Sequence, residues 1–282
     1  MIRIILAMLA LAASGLAANS NEPPKPEPMV VRALNVRGVV VACVDCDEPF
    51  DPGTHERLLD GLVGNPYVAE LRRALYWQDF VHQIASKAHF DNCDFDGSID
   101  YIHELMNDAR LHVEAAIAAK TAANEKAMQE AVRRAFFSLG QVLHGVQDFY
   151  AHTNYVELMA PKVAKVTDIA LVMPWNEAAR ARINGLRTEG LISGVVFWGF
   201  PKKCPAGTAS HGELAKDSET TASGKKLIPH LSNISQYRTA VFLARESSLA
   251  LLRDAFKRWP LLKEVNGANV AFDVILDRRG WQ

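Results

Sequence analysis

Cysteine is scarce in this chain, with four in 282 residues: Cys43, Cys46, Cys93 and Cys204. No second C-x-x-C stands by to complete a four-sulfur metal site with Cys43 and Cys46. A redox pair would open a helix after a strand, whereas this one runs into Asp47-Glu48-Pro49. A surplus of either charge is missing too, since 31 Lys and Arg face 32 Asp and Glu. That balance argues against nucleic acid as a partner, which would call for a basic excess, while leaving room for a local basic pocket. Long apolar runs are absent beyond the first dozen residues, so no other stretch is suited to cross a bilayer. There is no internal repeat, and with 49% of residues apolar the chain is not compositionally disordered.

The opening 1–18, MIRIILAMLALAASGLAA, reads as a signal peptide. Arg3 is its positive end, Ile4 to Leu11 its apolar core, and Gly15-Leu16-Ala17 a small-x-small cleavage site. An uncleaved anchor is the competing reading, and the lack of a Cys after the apolar run argues against a lipid anchor. The expectation is a soluble exported protein, periplasmic or secreted. Export makes the four cysteines disulfides, in one of three connectivities. Residues 19–50 form a Pro-rich tether, a short strand over Val30–Val41 and the Cys43/Cys46 segment.

From 51 to 260 the pattern is helical, and the expected fold is all-α, a helical bundle with a long irregular insertion and a C-terminal segment 261–282. Asp51-Pro52 starts one helix and Gly64-Asn65-Pro66 ends it. A second helix is expected over 67–88 and a third, capped by Asp96 or Ser98, to about Ala119, with Ile99, Ile102, Met106, Val113 and Ile117 inward. A fourth runs from Ala122 to Met159 with Met128, Val132, Ala135, Leu139, Val142, Leu143 and Val146 as a long apolar flank. Gly140 within it is costly unless another backbone or a ligand comes close. Residues 175–188 look helical and 191–200 a strand or buried loop. A long polar connection follows over 201–234, carrying His211, Asp217 and His230, before a last helix over 235–258.

Three side chains of the fourth helix stand apart. His144, Asp148 and His152 follow an i, i+4, i+8 series. At about 100° per residue the series drifts only about 40° per step, so all three leave one face. Two imidazoles and a carboxylate on a buried face need a partner, and a divalent cation is one. A buried hydrogen-bond network is the plainer alternative. Asp79 continues the inward face of the second helix and requires an arginine or a metal. Glu157 lies about 180° from Asp148 on a straight helix, so it reaches the site only if the helix kinks near Thr153-Asn154.

The letters around the triad, from Leu139-Gly140 through His144, Gln147-Asp148-Phe149-Tyr150-Ala151-His152 and Asn154 to Glu157-Leu158, resemble the signature of the Het-C family. That family in turn resembles the zinc-dependent phospholipase C and zinc nuclease superfamily, which implies a helical bundle of the zinc phospholipase C type. Thr54-His55-Glu56 and His89-Phe90-Asp91 are similar to further ligand segments, and Lys216-Asp217-Ser218 with His230 to a later one. The resemblance implies one to three Zn2+ ions held among His55, His89, His144, Asp148, His152 and His230, with Asp79 and Glu157 as further ligands. Two departures favour fewer ions: no N-terminal Trp ligand is in place, and Asp148 and His152 are four apart rather than six.

Zinc ions bridged by Asp148 imply a metal-activated water attacking phosphorus, with Asp91 a candidate acid for the leaving alcohol. The expected activity is phospholipase C-like hydrolysis of a phospholipid or other phosphodiester. Contact with a membrane surface through Trp175, Phe197 or Trp198 competes with core packing for each of them. A nuclease on the same scaffold, and a non-catalytic recognition or toxin-like module with a structural metal, are the rival readings; no protein partner is indicated.

Overall fold

The computed structural model describes residues 31–36, 39–44, 52–59 and 67–265. The chain divides into two compact units, Met1–Asp45 and Cys46–Gln282. In the first, β1 (Val31–Val36) and β2 (Val39–Val44) pair antiparallel, Val31 opposite Val44 and Val36 opposite Val39. The single strand expected over 30–41 is therefore a two-stranded ladder. The signal segment, the tether, Cys46 and the residues after 265 lie outside the described residues.

The second unit is built from helices, as the sequence pattern predicts: α1 (Pro52–Leu58), α2 (Tyr67–Val81), α3 (Ser86–His89), α4 (Phe95–Thr121), α5 (Glu125–His152), α6 (Tyr155–Met159) and α7 (Glu177–Thr188). Then come α8 (His211–Leu214), the short pair β3 (Leu227–Ile228) and β4 (Ile234–Ser235), α9 (Gln236–Arg258) and α10 (Pro260–Val265). The chain is all-α in class, and α5 is its axis, packed by α2, α4 and α9. The reason is written into α5: every side chain from Ser138 to His152 is buried, so the helix has no face to give to water. Asn124 starts it, its side chain accepting from the Ala127 N–H.

Gly140 explains how close the packing is. A Cβ there would lie 2.6 Å from the Ala74 Cβ and 2.8 Å from the Leu71 carbonyl oxygen, so α2 crosses α5 at a position without a side chain. On α4 the expected stripe is partly displaced. Ile99, Ile102 and Val113 are buried but Ile117 is half exposed, because Ala109 and Ala116 carry the inward face and let α5 approach. The α4 cap is Asp94, which accepts from Gly97, rather than Asp96 or Ser98. The expected second helix stops at Val81, and the expected fourth helix stops at His152. The insertion over 201–234 is tied down by a Cys93–Cys204 disulfide.

Alanine at two glycines separates helix propensity from packing. Gly185 of α7 has nothing within 4 Å of its would-be Cβ, so Gly185→Ala should stabilise by about 0.5–1 kcal/mol. Gly140→Ala should instead destabilise by about 1–3 kcal/mol. Urea denaturation followed by circular dichroism checks both, and a stabilised Gly140→Ala protein would contradict the packing described.

Candidate metal centre

Five elements deliver side chains to one place. α5 contributes His144, Asp148 and His152, and it ends at once after the last of them. Thr153 leaves the helix with φ −107° and ψ 164°, its hydroxyl donating to the Phe149 carbonyl and accepting from the Tyr155 N–H. α1 brings His55, α2 brings Asp79, and α3 ends in His89. The turn after α3 places Asp91, and three of its non-glycine residues, Phe90, Asn92 and Cys93, have positive φ. Such residues cost about 1 kcal/mol or more each, and here the surroundings hold them. The Asn92 side chain donates to Ser86 Oγ and accepts from Val196, the Cys93 N–H donates to Ser193 Oγ, and the disulfide closes the turn on the insertion. The fifth element is α8, with His211 as its first residue and Asp217 just beyond it.

Asp148 sits at the middle, about 1% exposed. Its Oδ2 is 2.9 Å from His144 Nε2 and 3.0 Å from His89 Nδ1, while its Oδ1 is 3.2 Å from His55 Nε2 and 3.9 Å from His152 Nε2. His144 Nε2 is also 3.4 Å from Asp79 Oδ1. On the far side His152 Nε2 is 3.4 Å from Asp217 Oδ1, and His211 lies 3.0 Å from Asp91 through Nδ1 and 3.3 Å from Asp217 through Nε2. Three triads can each present one ligand atom apiece within 4.8 Å: His55, His144 and Asp148; Asp79, His89 and His144; Asp91, His152 and His211. Tetrahedral ligands at roughly 2.0–2.2 Å from zinc lie about 3.3–3.6 Å apart, which is the spacing scale found here.

The hydrogen bonds of two histidines test whether a cation fits. His55 Nδ1 is 2.6 Å from the Gln147 amide oxygen, and that amide is itself anchored by donating to Ser248 Oγ. His152 Nδ1 is 2.9 Å from the His89 carbonyl oxygen. Both acceptors are pure oxygen acceptors, so each imidazole carries its proton on Nδ1 and turns Nε2 toward a carboxylate. A neutral ring would then face that carboxylate lone pair to lone pair. Either a second proton or a cation must lie between them, and a ring N–H given to a carbonyl is the usual support of a metal-binding histidine. Buried Asp148 Oδ1, Asp217 Oδ1 and Asp79 Oδ2 have no hydrogen bond, as expected of atoms whose partner is an ion.

The protons that substitute for a cation are visible in the titration shifts. Burial disfavours a charged His152, yet Asp148, Asp91 and Asp217 outweigh it and push its pKa up to about 9. Burial is likewise overcome at His55 and His89, mainly by Asp148, and at His211 by Asp91 and Asp217, so all three are raised. At His144 burial prevails and the pKa falls. Burial would raise Asp148 and Asp217, but the surrounding imidazoles hold both carboxyls well below the usual carboxylate range. A group of buried carboxylates kept ionised by histidines is a negative cavity suited to divalent metal.

Of the residues singled out in the sequence, the structure brings His55, Asp79, His89, Asp91, His144, Asp148 and His152 together. Two go elsewhere. The chain does break at Thr153, but the new helix carries Glu157 to Lys216, 3.0 Å away, and to Ser223 Oγ at 2.9 Å. His230 Nε2 bonds to the Ala160 carbonyl instead. Trp175 is no lipid-facing side chain either: it is buried and donates to Ser247 Oγ. His211 and Asp217 join the site without having been assigned to it from residue patterning, because their spacing to α5 exists only in three dimensions. Their one signal was an uncommonly long polar connection bearing His and Asp.

Lys216 explains how that connection is held. It is fully buried beside Asp217, its N–H donates to Ala151, and its ammonium donates to the carbonyls of Thr153 and Leu214. Burial lowers its pKa against the pull of Glu157.

Residues 68–170 match a family model described as the VWA7 N-terminal domain. The match covers the stretch from Asp79 through His152 and leaves His55, His211 and Asp217 outside it. It corrects the resemblance to the Het-C and zinc phospholipase C families, because the family model that matches this stretch is a different one. No curated protein and no solved structure matches the chain significantly.

Lys216→Met should cost about 3 kcal/mol by stranding Glu157 and two carbonyls, and adding Glu157→Gln should recover part of it; denaturation of the single and double variants checks this. Calorimetric titration of the chelated protein with zinc should show more than one site per chain. His211→Ala with Asp217→Asn should remove one site and spare the rest, whereas an unchanged stoichiometry would exclude these two residues from the centre.

Proposed function

We infer that the chain is an exported, zinc-dependent phosphodiesterase that hydrolyses phospholipid head groups or a related phosphodiester. The observation that carries this reading is the position of Asp148. One carboxylate turns its two oxygens toward different pairs of histidines, the arrangement of a bridge between neighbouring cations. Zinc bound there would supply a water acidified to near neutral pH and a positive field for phosphate oxygens.

The chain's own residues do the rest. Asp148 would be shared, with His55, His89, His144 and Asp79 holding one part of the centre and Asp91, His152, His211 and Asp217 the other. Gln147 and the His89 carbonyl orient the rings of His55 and His152. Asp79 and His211 are the more exposed members of the cluster. Asp91, taken up by His211 and His152, suits a ligand better than the free general acid expected of it. The Cys93–Cys204 disulfide and the apolar leader support export. Near-neutral charge weighs against a nucleic-acid substrate.

A second reading, a metal-braced binding module, draws on the near-complete burial of His55, His144 and Asp148. Asp148→Asn decides between the two. For the enzyme it should lower zinc-dependent hydrolysis of bis(p-nitrophenyl) phosphate by at least about 100-fold while the helical circular dichroism spectrum is kept. Zinc-loaded wild-type protein that hydrolyses neither this ester nor phosphatidylcholine would support the module. Wild-type protein that takes up no zinc would end both readings.

A further inference from the structure

The innermost of the three triads, His55, His144 and Asp148, is completed from outside the stretch that matches the family model. His55 comes from α1, and α9 holds α1 in place. Arg245 of α9 donates through Nη1 to the Leu58 carbonyl at 3.0 Å and toward the Arg57 carbonyl at 3.5 Å. The last carbonyls of a helix have no partner within it, so this contact fixes where α1 ends. Three residues on, and so on the same face of α9, stands Ser248. It is fully buried, and it governs the ring of His55 rather than its backbone.

That control runs through three hydrogen bonds in series. Ser248 has one hydrogen to give, and it donates that hydrogen to the Ala244 carbonyl at 2.7 Å. Toward Gln147 it can therefore only accept, and the Gln147 amide nitrogen, 3.0 Å away, donates to it. With its nitrogen turned to α9, the amide must show its oxygen to His55, and Oε1 lies 2.6 Å from Nδ1. The direction of an amide is set by such partners, since its two ends are nearly alike in shape. The His55 proton then belongs on Nδ1, and Nε2 offers its lone pair on the side of Asp148, 3.2 Å from Oδ1. An amide turned around would instead donate to Nδ1 and move the ring proton to Nε2. There the proton would bond to Asp148 and occupy the place of a cation. Turning also requires the Ser248 hydrogen to leave Ala244, so the hydroxyl opposes it.

We propose that Ser248 is a positioning residue of the metal centre, acting through the Gln147 amide to keep Nε2 of His55 open to a cation. This role rests on the metal-binding reading and not on hydrolysis. Two measurements on the full chain test it: chelator competition, which reads zinc affinity, and nitrogen NMR of labelled histidines, which reads where each ring proton sits. Ser248→Ala should weaken one zinc site by roughly tenfold or more. Zinc-loaded wild-type protein should show His55 protonated at Nδ1 and ligated at Nε2. Ser248→Thr keeps a hydroxyl able to reach the carbonyl one turn back and should bind zinc as wild type does. Ser247→Ala removes an equally buried hydroxyl from the neighbouring position, the acceptor of the Trp175 indole, and should also bind as wild type. A merely structural role would leave zinc affinity alike in the two alanine variants. Three results overturn the proposal: Ser248→Ala protein with wild-type zinc affinity, an equal loss in Ser247→Ala, or a His55 proton on Nε2 in the zinc-loaded wild type. If Ser248→Ala does not fold, the proton position in the wild type still decides. Wild-type protein that takes up no zinc ends the metal reading as well, whereas zinc uptake without hydrolysis ends the phosphodiesterase reading alone.

Discussion

A carboxylate buried at the axis of a helical bundle, with imidazoles on both of its oxygens, is the constraint to which the surrounding structure answers. Asp148 cannot be left ionised and unpaired at that depth, since an isolated buried charge costs several kcal/mol. His55 and His89 close on it from two other helices, and His144 and His152 from its own. The histidines in turn need carboxylates, and Asp79, Asp91 and Asp217 supply them. Every member of the cluster is there because another member would otherwise be unsatisfied.

Bringing so many groups together demands close backbones. Gly140 lets α2 sit directly on α5. The turn after α3 is held in left-handed conformations by Asn92, Ser193 and the disulfide. The insertion is fastened by Lys216, whose backbone N–H and ammonium donate to the Ala151 and Thr153 carbonyls at the end of α5. Helix termination, loop strain and the buried lysine therefore serve one end: they fix His211 and Asp217 opposite His152.

Periodicity made the helices legible, because a 3.6-residue repeat of apolar side chains has few other meanings. It also made the His144, Asp148 and His152 face legible, and the inward aim of Asp79. Boundaries were less so. The stop at Thr153 depends on a hydroxyl and on Lys216, and with it went the expectation for Glu157, which the letters of the motif include and the fold assigns to an ion pair.

What the chain determined by itself was local: which segments coil, which face of each is apolar, and that one helix carries imidazole and carboxylate where a core should be dry. Those follow from rotation per residue and from the cost of burying polar atoms, and both can be read along a line. Which histidines meet that face was decided only by tertiary structure. His55, His89 and His211 are separated from Asp148 by 50 residues or more of chain, His55 and His89 on one side and His211 on the other. No spacing in the sequence encodes their approach; the packing of α1, α3 and α8 around α5 does.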